Sequence, residues 1–238
     1  MKKVVIIGAT SGIGRSLAKQ YAAKGYLVGV TGRRQELLNS LQQKFPDKIL
    51  TACFDITSAD ASEHIEQLVS RLQGMDIFIY NAGYGDTSKP LNWEIENTTI
   101  STNVTGFAVA CNYAFNYLAD KPEGQIVGIS SIASIRGSGW APAYSASKAF
   151  MSNYLEGLHL KAKALKTNIA VTDIQPGYVD TSMAKSDRKF WVATPDKAAT
   201  EIIDSIDRKK FRVYITRRWA LVAYVLRNIP GWYYRKVF

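Results

Sequence analysis

The chain is poor in the residues that build several common kinds of site. It has only two cysteines among 238 residues, Cys53 and Cys111, which excludes a disulfide scaffold. Both lie in apolar stretches and are expected as buried free thiols in a reducing compartment. Two histidines, His64 and His159, leave no histidine-rich metal site, and no metal is expected. No apolar run approaches the ~20 residues that span a bilayer. The run that opens MKKVVIIGATSG is broken by glycine after Ile7, too early for a secretory signal core. There is no linker, repeat or low-complexity segment. These absences lead to the expectation of a cytoplasmic protein with one globular domain.

Carboxylates are missing from the end of the chain. Asp207 is the last acidic residue and nine basic residues follow it, whereas residues 1–207 carry 21 basic and 20 acidic side chains. The net charge of +10 therefore belongs to a tail. A protein coated for nucleic acid would spread it, so no nucleic-acid partner is expected. The same tail holds eight of the chain's 27 aromatic residues.

Apolar runs predict strands at 3–8, 27–32, 48–55, 76–83, 125–131, 168–177 and 211–216. Helical spacing predicts helices at 13–24, 34–44, 58–72, 95–119, 142–165 and 196–207, with Ser58 as an N-cap. The strands are continuous apolar runs rather than alternating ones, so both of their faces are buried. Strands that alternate with helices and are covered on both sides imply an α/β fold. The expected architecture is a three-layer, doubly wound parallel sheet of Rossmann type. It is expected to occupy residues 1–216. Residues 217–238 then form a C-terminal helical appendage that is not an independent domain.

Between the first strand and first helix the chain reads Gly8-Ala9-Thr10-Ser11-Gly12-Ile13-Gly14. Glycines at this junction let the backbone approach a pyrophosphate at a helix N-terminus. A dinucleotide site that prefers NAD usually carries Asp or Glu at the end of the second strand. Here the residues are Thr31-Gly32-Arg33-Arg34. Arginine binds a 2′-phosphate through charge-assisted hydrogen bonds, so NADP(H) is the expected cofactor, with Arg33 on the phosphate.

Tyr144 and Lys148 stand at i and i+4 on the long helix 142–165 and share a face. An ammonium beside a phenol favours the phenolate and lowers the phenol's pKa from about 10. A tuned tyrosine suits proton transfer to and from a carbonyl oxygen.

With these come Asp55-Ile56-Thr57, Asn81-Ala82-Gly83-Tyr84-Gly85, Asn103-Val104-Thr105-Gly106, Ser130-Ser131 and Pro176-Gly177-Tyr178-Val179-Asp180-Thr181. In this order the set resembles the short-chain dehydrogenase/reductase family, in its short single-domain branch, over about residues 3–216. One departure is Ile7, where many relatives have Thr or Ser. The resemblance implies a catalytic set of Asn103, Ser131, Tyr144 and Lys148. Tyr144 would be the acid in the reduction direction, and Lys148 would lower its pKa and hold the nicotinamide ribose. Ser131 would bond the substrate oxygen, and Asn103 would hold a water that links Lys148 to solvent. Ser130 is left out, because strand alternation points it away. The implied cofactor residues are Gly8, Thr10, Ser11, Gly12, Ile13, Gly14, Arg33, Asp55, Ile56, Asn81, Ala82, Gly83, Tyr144, Lys148, Pro176, Gly177, Val179 and Thr181. Asp55 would bond the adenine amino group.

The expected activity is NADP(H)-dependent interconversion of a carbonyl and an alcohol on a small-molecule, apolar substrate. The alternative is a cofactor-binding membrane-surface or interaction protein with little turnover. Tyr84, Trp140, Met183, Phe190 and Trp191 are candidates for the substrate pocket; Met183, Phe190 and Trp191 could equally pack on the sheet edge. The family implies a homodimer or homotetramer through 95–119 and 142–165, which carry Phe107, Tyr113, Phe115, Phe150 and Tyr154. The tail combines arginine, tryptophan and tyrosine, as interfacial membrane helices do. It is expected to make a peripheral membrane contact or to dock on the body or a partner subunit.

Overall fold

The computed structural model describes residues 1–87, 90–183 and 190–237. Seven strands form one sheet: β1 (Lys3–Ile7), β2 (Leu27–Gly32), β3 (Ile49–Cys53), β4 (Ile77–Tyr80), β5 (Gly124–Ile129), β6 (Ile169–Pro176) and β7 (Arg212–Ile215). Their order is β3-β2-β1-β4-β5-β6-β7. Every neighbouring pair is parallel.

Side-chain alternation along β1 explains the layers. Val4 and Ile6 point to one face, where they join Leu17, Leu38, Ile202 and Ile206 from α1 (Gly12–Ala23), α2 (Gln35–Gln42) and α7 (Pro195–Asp207). Val5 and Ile7 point to the other face. There they meet Ile65, Phe107 and Leu155 from α3 (Ala61–Arg71), α5 (Phe107–Ala119) and α6 (Pro142–Ala164). The strands read as unbroken apolar runs because each carries both sets. The predicted doubly wound, three-layer parallel architecture is the one observed.

Chain order reverses between β1 and β4, and open α/β sheets take their ligands at such a switch point, outside the carboxyl ends of the strands. Gly8 leaves β1 and Asn81 leaves β4 at that point, which places the two glycine-rich segments side by side.

Several local expectations change. The helix expected over 95–119 consists of α4 (Trp93–Ile100), a π-helical turn at Ser101–Gly106, and α5. Asn103 lies fully buried inside the π turn, so the interruption serves a polar residue rather than the apolar stripe. Ser58 is not the cap of α3; Asp60 is, and Ser58 hydrogen-bonds the Asp55 carbonyl instead. Cys53 ends β3 on the surface and is exposed, whereas Cys111 is buried in α5. Phe107 and Phe115 belong to the core and are not free to line an outer face.

The appendage forms two short helices, α8 (Trp219–Asn228) and α9 (Gly231–Val237), broken at Pro230. Among the described residues, no helix is long and apolar enough to cross a membrane.

Candidate active site

The turn after β1 is built for close approach. Gly8 has φ +86°, and a Cβ there would fall 2.6 Å from the Ala82 backbone. Asn81 ties the two segments together, its Nδ2 donating to the Gly8 carbonyl at 2.6 Å. Gly12 abuts the Thr181 methyl. Ser11 begins α1 without a side-chain cap, and no acidic residue occupies the first turn. The N–H groups at that helix end are therefore available to an anion. Gly8, Gly12, Gly14, Asn81, Ala82 and Thr181 thus form one cradle, which fits a dinucleotide pyrophosphate.

The arginines divide their work in a way the sequence does not show. Arg33 is exposed and pairs with Asp55 at 3.3 Å, so two residues assigned separate jobs meet each other. Thr57 donates to the other oxygen of Asp55 through its N–H and hydroxyl, at 3.0 and 2.9 Å. Burial pushes the Asp55 carboxyl up, but the Thr57 hydrogen bonds and the Arg33 charge outweigh that and hold it below its ordinary value. Arg34 reaches over the glycine turn and donates to Thr10 Oγ1 at 2.5 Å and Ser11 Oγ at 2.8 Å. Its guanidinium therefore sits on the cradle, whereas that of Arg33 stands at the rim. The Ile56 side chain is buried nearby, against the position of Gly106.

The catalytic candidates converge from three elements. Ser131 follows β5, Tyr144 and Lys148 lie on the first turns of α6, and Asn103 comes from the π turn. Ser131 hydrogen-bonds the Tyr144 phenol, and its Oγ also accepts from the Ala133 N–H at 3.1 Å. Burial pushes the phenol above its ordinary value, and the Ser131 hydrogen bond opposes that. The Lys148 ammonium lies 5.8 Å from the centre of the Tyr144 ring. Its hydrogen bonds, however, go to the Ile129 carbonyl at 3.0 Å and to Met151 Sδ at 3.5 Å. Of the two influences on the phenol, burial is the larger.

Lys148 is itself almost fully buried. Burial pulls its ammonium down to about 8, and the Asp173 carboxylate opposes that fall. Asp173 is a fully buried residue of β6. It accepts from Ser130, Ser152 and Gln175, and from Arg212 Nε at 3.2 Å. Ser130 accordingly points away from the site, as strand alternation requires, and holds Asp173.

Asn103 fixes the loop after β4. Its Nδ2 donates to the Tyr84 carbonyl at 2.7 Å and to Ser147 Oγ at 3.0 Å, and its Oδ1 accepts from the Tyr84 N–H at 2.9 Å. Both ends of the amide are thus bonded to protein groups. Gly83 lies beside Asn103 Oδ1, Lys148 Nζ and the Met183 methyl. This places Met183 at the site.

The other pocket candidates separate. Phe190 and Trp191 pack on the Trp219 indole at ring distances of 4.9 and 6.2 Å, with Tyr178 at 5.5 Å. Trp140 is exposed and encloses nothing. Pro176 and Val179 are buried, and Gly177 lies under the Trp219 ring. Of the stretch 182–192, residues 184–189 lie outside those described. Sequence reasoning left Asp173, Gly85, Arg136 and Trp219 without a role. The glycine of the Asn81–Gly85 run was the one signal available.

A doubly wound parallel sheet with a glycine cradle at its switch point and a Ser-Tyr-Lys group beside it defines a Rossmann-type oxidoreductase. The sequence pattern of the short chain dehydrogenase family matches residues 2–190. An uncharacterized oxidoreductase of Myxococcus xanthus is 37% identical over 188 residues, which are 76% of this chain and 74% of that protein. The NADP-dependent 3-hydroxy acid dehydrogenase YdfG of Salmonella typhimurium is 30% identical over 183 residues, 74% of this chain and 72% of that one. The structure of 3-ketoacyl-(acyl-carrier-protein) reductase from Brucella melitensis, complexed with NADH, superposes with a TM-score of 0.82 at 19% identity. That likeness covers 91% of this chain and 98% of the other. The chain belongs to the short-chain dehydrogenase/reductase family, whose members bind a nicotinamide cofactor.

Proposed function

We propose that this protein is an NADP(H)-dependent oxidoreductase that interconverts a carbonyl and an alcohol on an apolar substrate. The observation that carries the reading is the Ser131–Tyr144 hydrogen bond beside a buried Lys148. A neutral phenol held above its ordinary pKa is a proton donor at neutral pH. In reduction, Tyr144 gives its proton to the oxygen that becomes the hydroxyl; in oxidation it takes one back. Ser131 orients that oxygen, and Lys148 supplies positive charge next to the phenolate that forms. The nicotinamide, when bound, supplies the hydride in one direction and accepts it in the other.

Arg33 and Arg34 support the phosphorylated dinucleotide. Arg34 lies on the cradle itself, and no carboxylate ends β2. Met183, partly exposed and beside Gly83 and Lys148, supports an apolar substrate. The alternative of a protein with little turnover leaves the convergence of Asn103, Ser131, Tyr144 and Lys148 without a purpose.

We propose further a homodimer or homotetramer through the outer faces of α5 and α6, and a peripheral membrane contact through 217–238. A groove of about 840 Å³ runs along α3 and α5 and is lined by Tyr113, Tyr117 and Tyr154. An aromatic groove of this kind suits a subunit contact.

The test is a panel of apolar ketones and 3-oxo acid derivatives, offered with NADPH and with NADH and followed at the nicotinamide absorbance. NADPH oxidation by at least one compound is expected. Tight NADPH binding with no turnover across the panel would favour the alternative.

A further inference from the structure

The appendage has an inner face that is fastened and an outer face that is not. Trp219 and Ala223 are buried on the inner face. The Trp219 ring lies so close to Gly177 that a Cβ there would overlap it, and it stacks on Phe190. At the other end, Arg136 donates to the carbonyls of Leu226 at 2.9 Å and Ile229 at 2.6 Å. The Tyr234 hydroxyl donates to the Gly137 carbonyl at 2.8 Å. Arg136 and Gly137 belong to the loop that follows Ser131, and Gly177 and Phe190 flank the segment after β6. The appendage therefore grips both loops that border the candidate active site, and its orientation relative to that site is fixed.

The outer face combines two chemistries. Leu221, Tyr224 and Val225, at i, i+3 and i+4 on α8, are exposed by 63%, 68% and 47%. Trp232 and Tyr233 add 67% and 47% on α9. Around them stand the exposed cations Arg217, Arg218, Arg227, Arg235 and Lys236, with no carboxylate after Asp207. Aqueous solvent disfavours the aromatics, and a second copy of this face would oppose cation to cation with nothing to neutralise either. An anionic bilayer surface matches both, since indole and phenol rings lodge at headgroup depth while guanidinium groups meet phosphate and carboxylate.

We propose that residues 217–237 dock the enzyme on an anionic lipid surface and hold the mouth of its active site against that surface. The carbonyl or alcohol substrate is then one that partitions into the bilayer. The orientation and the substrate class rest on the functional reading above; the lipid contact does not. Phe190 and Trp191, packed on Trp219 and themselves partly exposed, extend the apolar face from the appendage to the substrate side.

The full chain should co-sediment with vesicles of phosphatidylcholine and phosphatidylserine but not with phosphatidylcholine alone, and added salt should release it. Arg235→Gln with Lys236→Gln should lower the bound partition about tenfold or more. Tyr224→Ser with Trp232→Ser should abolish binding without changing the melting temperature, because both side chains are exposed. Hydrogen exchange with and without vesicles should show protection in α8, α9 and residues 190–193. Absence of binding to phosphatidylserine vesicles at low salt would overturn the dock. So would conversion of an oligomer into monomers by the Tyr224/Trp232 variant, which would make the face a subunit contact. Protection confined to α3 and α5 would overturn the orientation. A vesicle-bound protein that turns over no carbonyl would refute the proposed activity and leave the dock standing.

Discussion

A Cβ on Gly85 would overlap Cδ2 of Tyr144, so the loop after β4 rests directly on the face of the phenol. Asn103 holds that loop through the backbone of Tyr84, the residue before the contact. The catalytic ring is thus positioned from three sides, by Gly85, by Ser131 and by its own helix.

Gly85→Ala should therefore displace the ring. Turnover should fall steeply, toward the roughly 10²–10⁴-fold that a positioned acid contributes. NADPH binding, measured by fluorescence, should stay near the wild-type value. Normal turnover in the Gly85→Ala variant would show that the ring does not need this support.

Arg34→Ala and Arg33→Ala should each raise the KM for NADPH far more than that for NADH. A hydrogen bond to a charged group contributes roughly 1.5–3 kcal/mol, which is about a 10- to 100-fold change. Arg34 should show the larger effect because it already lies on Thr10 and Ser11. Equal effects on both cofactors would remove the 2′-phosphate from the account.

The legible parts of this molecule were those written in contiguous residues. The run KVVIIG followed by spaced glycines marked β1, the turn and α1, because burial on both faces and close backbone approach leave direct signs. Tyr144 and Lys148 were legible because helical spacing is fixed. Asp173 was not, since a carboxylate in strand β6 looks like any polar residue until Ser130, Ser152 and Arg212 are brought to it from other elements. Arg136 capping α8 joins residues 90 positions apart, which no local pattern reports. The π turn at Asn103 was hidden because its flanks are ordinary helix sequence.

Asp173 also bears on pH dependence. Its negative charge favours the Lys148 ammonium, so Asp173→Asn should move the Lys148 pKa further down from about 8. The titration can be followed by side-chain nitrogen NMR, with the resonance assigned by its loss in Lys148→Met. Lys148 would then shed its proton at lower pH, and the loss of activity on the alkaline side would begin earlier. An unchanged midpoint would mean that Asp173 only stabilises the fold.

Tyr113, Phe150 and Tyr154 lie partly buried on α5 and α6, beside the aromatic groove. Sedimentation at micromolar concentration should show a dimer or tetramer, and Tyr113→Glu should shift it toward monomer. A monomeric wild-type protein would contradict the subunit contact.

The central claim is that Tyr144 moves the proton, and Tyr144→Phe tests it most directly. On a substrate identified with the wild-type enzyme, the variant should bind NADPH normally and lose roughly 10²-fold or more of its turnover. Wild-type turnover in Tyr144→Phe would contradict the account.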